Sequence, residues 1–184
     1  MNYQARFSGR QILIILLLLV FLLAGCGRSN NSGTGAPPTS SPSPPMVRVS
    51  TDVVKISTAE VDIGANGSAE ATVKVSVTPG FHVNANPPSF PYLIPISVEQ
   101  HANQVGCIAM GKPSYPQATI RKFAFSKEPI AVYEGDVPIK LPLRAKCNAS
   151  IEQPVLLTVR VQACDDEKCY PPATADFTIG ANVK

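Results

Sequence analysis

Apolar side chains fall on every second position in four stretches between Thr72 and Ile179. Val73, Val75 and Val77 alternate with Thr72, Lys74 and Ser76, and Val137, Ile139, Leu141 and Leu143 alternate with Pro138, Lys140, Pro142 and Arg144. Leu157, Val159, Val161 and Ala163 alternate with Thr158, Arg160 and Gln162, and Ala173, Ala175, Phe177 and Ile179 close the series. Successive side chains of a β-strand point to opposite faces, so this pattern calls for strands with one buried face. The chain also carries 18 prolines in 184 residues, and each costs roughly 3 kcal/mol inside a helix. An all-helical fold is excluded. Pro138 and Pro142 cannot donate to a ladder, which predicts an edge or a bulge for their strand.

Turn chemistry recurs between these stretches, at Pro79-Gly80, Asn86-Pro87-Pro88, Gly111 to Pro116 and Glu134-Gly135-Asp136. Further strand-like stretches are expected near 47–57, 92–98 and 118–124. Many short strands with regular turns predict an all-β fold, an immunoglobulin-like β-sandwich spanning 46–184.

The N-terminal end follows different rules. Arg6 and Arg10 precede thirteen consecutive apolar residues, Ile12 to Ala24, and the run ends in Leu-Leu-Ala-Gly-Cys at Cys26. It is shorter than the roughly 20 residues that span a bilayer comfortably. Residues 1–25 read as a lipoprotein signal peptide, with Cys26 as the lipidated residue. Residues 27–45, GRSNNSGTGAPPTSSPSPP, have almost no apolar side chain to bury, so 26–45 is expected to be a lipidated cysteine followed by a disordered Pro/Ser/Gly tether. The head should therefore be extracytoplasmic and lipid-anchored to a bacterial membrane. Gly27 replaces the aspartate that marks inner-membrane retention in enteric bacteria, which favours the outer membrane, or the cell surface in a single-membrane cell.

Sixteen Lys and Arg against thirteen Asp and Glu give a net charge of +3, too small to indicate nucleic-acid binding. No phosphate loop, GxSxG or HExxH is present. His82 and His101, the two histidines, are far in sequence from the cysteines, so no metal site is expected. His82 reads as a packed or surface residue.

If Cys26 is lipidated, four cysteines remain, an even set that in an exported protein points to disulfides. Cys164 and Cys169 enclose only Asp165, Asp166, Glu167 and Lys168, the easiest pairing. Elimination leaves Cys107 with Cys147, as a structural disulfide, or both free. The loop ACDDEKCYPP admits two uses, a static staple or an exchanging pair. Its carboxylates raise the thiol pKa and Lys168 lowers it, a pattern that suits a disulfide attacked by a partner's thiolate.

These residues resemble the N-terminal, periplasmic immunoglobulin-like domain of the thiol:disulfide interchange protein DsbD. The resemblance is carried by GFHVNANPPSFPYLIPISVE at 80–99, GKPSYPQA at 111–118, KFAFSKEPIAVYEGDVPIKLPL at 122–143 and QACDDEKCYPP at 162–172. It implies that Cys164 and Cys169 are the redox pair, that Cys169 forms mixed disulfides with partners, and that Cys164 resolves them. It also implies an aromatic cap over the pair, here within Lys122 to Tyr133, with Phe125 foremost and Phe123 and Tyr133 beside it. Tyr170, Pro171 and Pro172 would stiffen the exit from the loop and shape a docking surface. No cofactor beyond the cysteines is implied. The expected partners are thioredoxin-like exported proteins or a separate membrane electron conductor. Two rival expectations are a binding or assembly lipoprotein with static disulfides, and a small-molecule pocket lined by Phe81, Phe90 and Tyr92.

Overall fold

The computed structural model describes Met46 and residues 49–184. The expected signal peptide, the expected lipidation site Cys26 and the expected tether lie outside the described residues. A 3-10 turn at Ser50–Val53 leads into β1 (Val54–Thr58), β2 (Val61–Ile63), β3 (Ser68–Val77), β4 (His82–Asn84), β5 (Ser97–Gln100), β6 (Ile108–Met110) and β7 (Thr119–Arg121). Then follow β8 (Ile130–Tyr133), β9 (Asp136–Ala145), β10 (Ile151–Glu152), β11 (Val155–Val161), β12 (Ala163–Cys164), β13 (Ala173–Ile179) and β14 (Ala181–Val183). Among the described residues there is no α-helix, and no helix long and apolar enough to cross a membrane. The fold is an all-β, immunoglobulin-like sandwich.

The alternating stretches are its framework. β3 and β9 pair antiparallel along their full length, placing Val73 opposite Ile139 and Val75 opposite Val137. They are the centre of a four-stranded sheet ordered β1-β3-β9-β6. β11 is the centre of a second sheet, between β13 and β5. Inward side chains of both, among them Ile139, Leu141, Leu157 and Val159, merge in one apolar cluster. Each fully buried Leu or Ile contributes about 1.5–3 kcal/mol by leaving water.

The strand with Pro138 and Pro142 is not at an edge. It is flanked by β3 on one side and by β6 on the other. The prolines are tolerated because of where their missing N–H groups point. Lys140 exchanges both backbone bonds with Ser114 at 2.9 Å, so the even-numbered N–H groups face the β6 side, where pairing is confined to Ile108–Met110 and that single bridge. Pro142 needs no donor there and instead accepts from Gly111 N–H at 2.7 Å.

The other expected strands are displaced or shortened. Residues 50–53 form the 3-10 turn, β5 begins only at Ser97, and β7 is three residues long. The turns expected at Pro79-Gly80 and Glu134-Gly135-Asp136 hold, with Gly80 and Gly135 at positive φ of 86° and 61°, which costs a residue without Cβ little, whereas Gly111 to Pro116 runs as an extended segment bridged to Lys140 through Ser114.

One irregularity positions the candidate site. Burial alternates through β11 and on to Ala163, but at Gln162 the chain leaves the β13-β11-β5 sheet and enters another, ordered β12-β4-β8-β7. The Gln162 carboxamide fills the junction, accepting from Asn84 Nδ2 at 3.2 Å and Ile94 N–H at 3.3 Å. β12 therefore delivers Cys164 to the seam between two sheets.

Candidate functional site

β12 pairs antiparallel with β4, so that Ala163 faces Val83 and Cys164 faces His82. The chain then reverses over Asp165–Lys168 and brings Cys169 back opposite Cys164. The two cysteines form a disulfide with sulfurs 2.01 Å apart. Asp165 N–H donates to Lys168 C=O at 2.9 Å and Tyr170 N–H to Ala163 C=O at 2.8 Å, making the loop a tight hairpin.

Asp165 organises that hairpin. Its Oδ1 accepts from the N–H groups of Glu167 at 2.9 Å and Lys168 at 2.8 Å, and its Oδ2 from the Tyr170 hydroxyl at 2.7 Å. An aspartate that bonds backbone two and three residues ahead is a standard turn former. Burial works to raise the Asp165 carboxyl, but these hydrogen bonds and the Lys168 charge outweigh it and hold the group below the ordinary range. The Lys168 ammonium lies 5.4 Å from the centre of the Tyr170 ring, and that ring packs against Phe81 at 5.9 Å.

The two sulfurs differ in access. Cys164 is fully buried, whereas Cys169 is partly exposed and lines a cleft of about 240 Å³ with Tyr92, Leu93, Phe125, Ile130 and Gln162. A thiolate approaching from solvent can reach Cys169. It cannot reach Cys164 without the loop moving.

The cap segment divides. Phe123 is 4% exposed and packs with Leu93, Ile130 and Val132 in a small cluster of its own. Phe125 is 38% exposed and faces the cleft. The two rings stack 5.3 Å apart, and Phe123 stacks in turn on the His82 imidazole at 4.0 Å. Tyr133 is elsewhere: buried in the main core, its hydroxyl donates to Pro116 C=O at 3.0 Å. Tyr170 flanks the hairpin, and Pro171 and Pro172 are exposed just beyond it.

Three contributors at this site were not read from the sequence. Ser50, fully buried in the 3-10 turn, accepts from Ala163 N–H at 2.9 Å and donates its hydroxyl to Pro171 C=O at 2.7 Å. One hydroxyl thus ties together the two arms of the hairpin. His82 is 2% exposed, with no hydrogen-bond partner for Nε2. Burial holds its imidazole below the usual range, against the pull of the Glu134, Asp166 and Asp165 carboxylates and with a smaller push from Arg121. Gln162 is the third. A lone serine or glutamine carries no sequence signal for such contacts; His82 was expected only as a packed or surface residue, and it is packed.

Cys107 and Cys147 form the second disulfide, joining the start of β6 to the end of β9 with Cα atoms 5.5 Å apart. Phe90 and Tyr92 stack at 5.4 Å, but Phe81 packs with Tyr170 instead, so the three do not line one pocket. No cluster of histidine, cysteine and carboxylate groups among the described residues is arranged to hold a metal.

Known structures with similar folds include the reduced DsbD N-terminal domain of Neisseria meningitidis, 20% identical over 64% of this chain and 82% of that one, with a TM-score of 0.44. The complex of the DsbD and PilB N-terminal domains from the same organism matches at 14% identity over 68% and 80%, TM-score 0.43. The N-terminal periplasmic domain of ScsB from Proteus mirabilis matches at 12% over 69% and 44%, TM-score 0.43. No curated protein sequence matches the chain. The family described as thiol:disulfide interchange protein DsbD, N-terminal, matches residues 50–181, a span that holds both disulfides, the cap segment and Ser50. The chain belongs to the DsbD N-terminal domain family, a family of thiol–disulfide redox chemistry.

Proposed function

We propose that the chain is a membrane-tethered, extracytoplasmic thiol:disulfide interchange domain that passes reducing equivalents between thioredoxin-like partners through Cys164 and Cys169. The observation that carries this reading is the unequal access of the two sulfurs within one hairpin, Cys169 beside a cleft and Cys164 beneath it. A structural staple needs no such division.

In the receiving step, a thiolate of the reduced partner attacks Cys169 Sγ. A partner–Cys169 disulfide forms, the Cys164–Cys169 bond breaks, and Cys164 leaves as a thiolate that takes up a proton. The partner's second thiolate then attacks its own sulfur in the mixed disulfide and releases Cys169. Two electrons and two protons have moved to this chain, and the partner has become a disulfide. Delivery runs the same steps in reverse order, with Cys169 attacking an oxidised acceptor and Cys164 resolving the adduct. No cofactor beyond the cysteine pair takes part.

Phe125 is assigned as the cap, because it closes the cleft on the Cys169 side, and Phe123 as the packed base on which it rests. Pro171, Pro172 and Tyr170 form the docking rim. Cys107–Cys147 is structural. Residues 1–25 are the signal peptide, Cys26 carries the lipid, and the residues up to 45 are the leash that lets the head turn toward its partners. Replacement of Cys169 by alanine in the 184-residue chain should abolish electron transfer from a reduced thioredoxin-like protein, while the Cys107→Ser/Cys147→Ser variant retains it. Transfer at the wild-type rate by Cys169→Ala would overturn the assignment. For the anchor, Cys26→Ala should lose the mass of the attached lipid and the membrane association.

A further inference from the structure

The exchange cycle requires a proton to leave Cys164 each time that thiol becomes a nucleophile, and Cys164 is fully buried. In apolar surroundings a thiol holds its proton more tightly than in water, since desolvation disfavours the thiolate. Carboxylates of the hairpin act in the same direction. Something must receive the proton, and water does not reach this sulfur freely.

His82 is placed to do so. It is the direct antiparallel partner of Cys164 in the β4–β12 pair, and directly opposed residues point their side chains to the same face with Cβ atoms about 4.5–5.5 Å apart. Its Nε2 is buried and unpartnered, although buried polar atoms nearly always find a partner. One ring face is stacked on Phe123, so the imidazole is fixed against the base of the cap. The residue also lines a second cleft, of about 420 Å³, with Phe81, Arg121, Glu134 and Asp166. The route to solvent therefore passes an Arg121–Glu134 ion pair and the Asp166 carboxylate.

We propose that His82 is the proton acceptor for Cys164 in the resolving step of exchange. Resting on the exchange reading above, the step balances as follows. With a partner sulfur bound to Cys169, the neutral imidazole takes the proton from Cys164 S–H. The thiolate attacks Cys169 Sγ, the Cys164–Cys169 bond forms, and the partner leaves as a thiolate reduced by two electrons. The imidazolium passes its proton to water through the cleft. In the receiving direction the imidazolium returns a proton to the Cys164 thiolate as it departs. The groups facing His82 are Glu134 at the end of β8, Asp166 and Asp165 in the hairpin, which favour its protonated form, and Arg121 in β7, which opposes it.

The test needs no protein partner. The Cys164–Cys169 pair of the 184-residue chain is reduced and treated with an aromatic disulfide, dithiobis(nitrobenzoate), to load one nitrothiobenzoate group on Cys169, located by mass spectrometry. Attack by Cys164 then releases the coloured thiolate, and its rate is followed against pH. In the wild-type chain the rate should climb on the acid side with the imidazole titration and be level near neutral pH. His82→Phe, which keeps an aromatic ring in the stack, should be slower by about 10² near neutral pH and climb only on the alkaline side, with the thiol itself. His82→Gln should behave the same way. A wild-type profile that merely follows one thiol titration overturns the proposal whatever the variants do, and so does a His82→Phe chain with the wild-type profile. A His82-dependent profile in a chain that takes no electrons from any thioredoxin-like protein would retain the proton acceptor and reject the partner exchange.

Discussion

The Tyr170 hydroxyl donates to Asp165 Oδ2 across the neck of the cysteine hairpin at 2.7 Å. This bond, with two backbone N–H groups on Oδ1, holds the folded carboxyl below the 3.8 of an unconstrained aspartate. A depressed folded pKa contributes stability that is present above the unfolded value and lost as pH falls through the folded one. Asp165→Asn should therefore melt below wild type at pH 6–7, and the two curves should converge as pH drops below about 4. The gap should be modest, because the hairpin is open to solvent and screened by it. Thermal unfolding followed by circular dichroism across that pH range checks the sign.

Phe123 and Phe125 stack on each other yet should respond differently to truncation. Phe123 is core in all but sequence position, and Phe123→Ala should cost about 3–5 kcal/mol in urea unfolding. Phe125 is partly exposed, so Phe125→Ala should change stability by no more than about 1 kcal/mol. Reduction of Cys164–Cys169 by dithiothreitol should quicken several-fold in Phe125→Ala, since a small thiol gains access to Cys169. An unchanged rate would remove Phe125 from the cap.

Ser50→Ala leaves Ala163 N–H without its acceptor, while Pro171 C=O keeps its bond from the Ser50 N–H at 3.1 Å. The expected loss is about 1–3 kcal/mol, the cost of one unpaired group in a buried setting. Hydrogen exchange should show the effect concentrated at Ala163 and Tyr170, the two residues whose bonds close the hairpin.

Cys107 and Cys147 are 40 residues apart in sequence, and closing a loop of that size stabilises a domain by about 2–5 kcal/mol. The Cys107→Ser/Cys147→Ser chain should melt lower by an amount consistent with that figure. Its rate of exchange at Cys164–Cys169 should stay near wild type, and a parallel collapse of exchange would mean that the two disulfides are coupled.

Period-two patterning made the framework legible, because β3, β9 and β11 each bury one face against a common core, and β13 alternates beside them with Ile179 buried and its other inward residues half-buried. What it could not show was pairing. Pro138 and Pro142 spoke for an edge or a bulge, yet β9 lies inside its sheet, since the direction of the missing N–H groups decides whether proline is tolerated. Short strands such as β4 and β12 carry too few residues to display a period, and those are the strands that hold His82 and Cys164. The cysteine pair itself was legible from its four-residue spacing. Its supports were not: Ser50 lies 121 residues from Pro171, a separation that no local pattern bridges.

The cysteine hairpin is closed by hydrogen bonds that do not involve sulfur, from Asp165 N–H to Lys168, from Tyr170 N–H to Ala163 and from Tyr170 Oη to Asp165. None of them depends on the sulfur–sulfur bond, so each should survive its reduction. The oxidised and reduced forms should then share nearly one geometry, so that little reorganisation accompanies the arrival or departure of two electrons. If the chain carries electrons as proposed, a hairpin that keeps its shape whether full or empty offers donor and acceptor the same face, and the two must take turns at it.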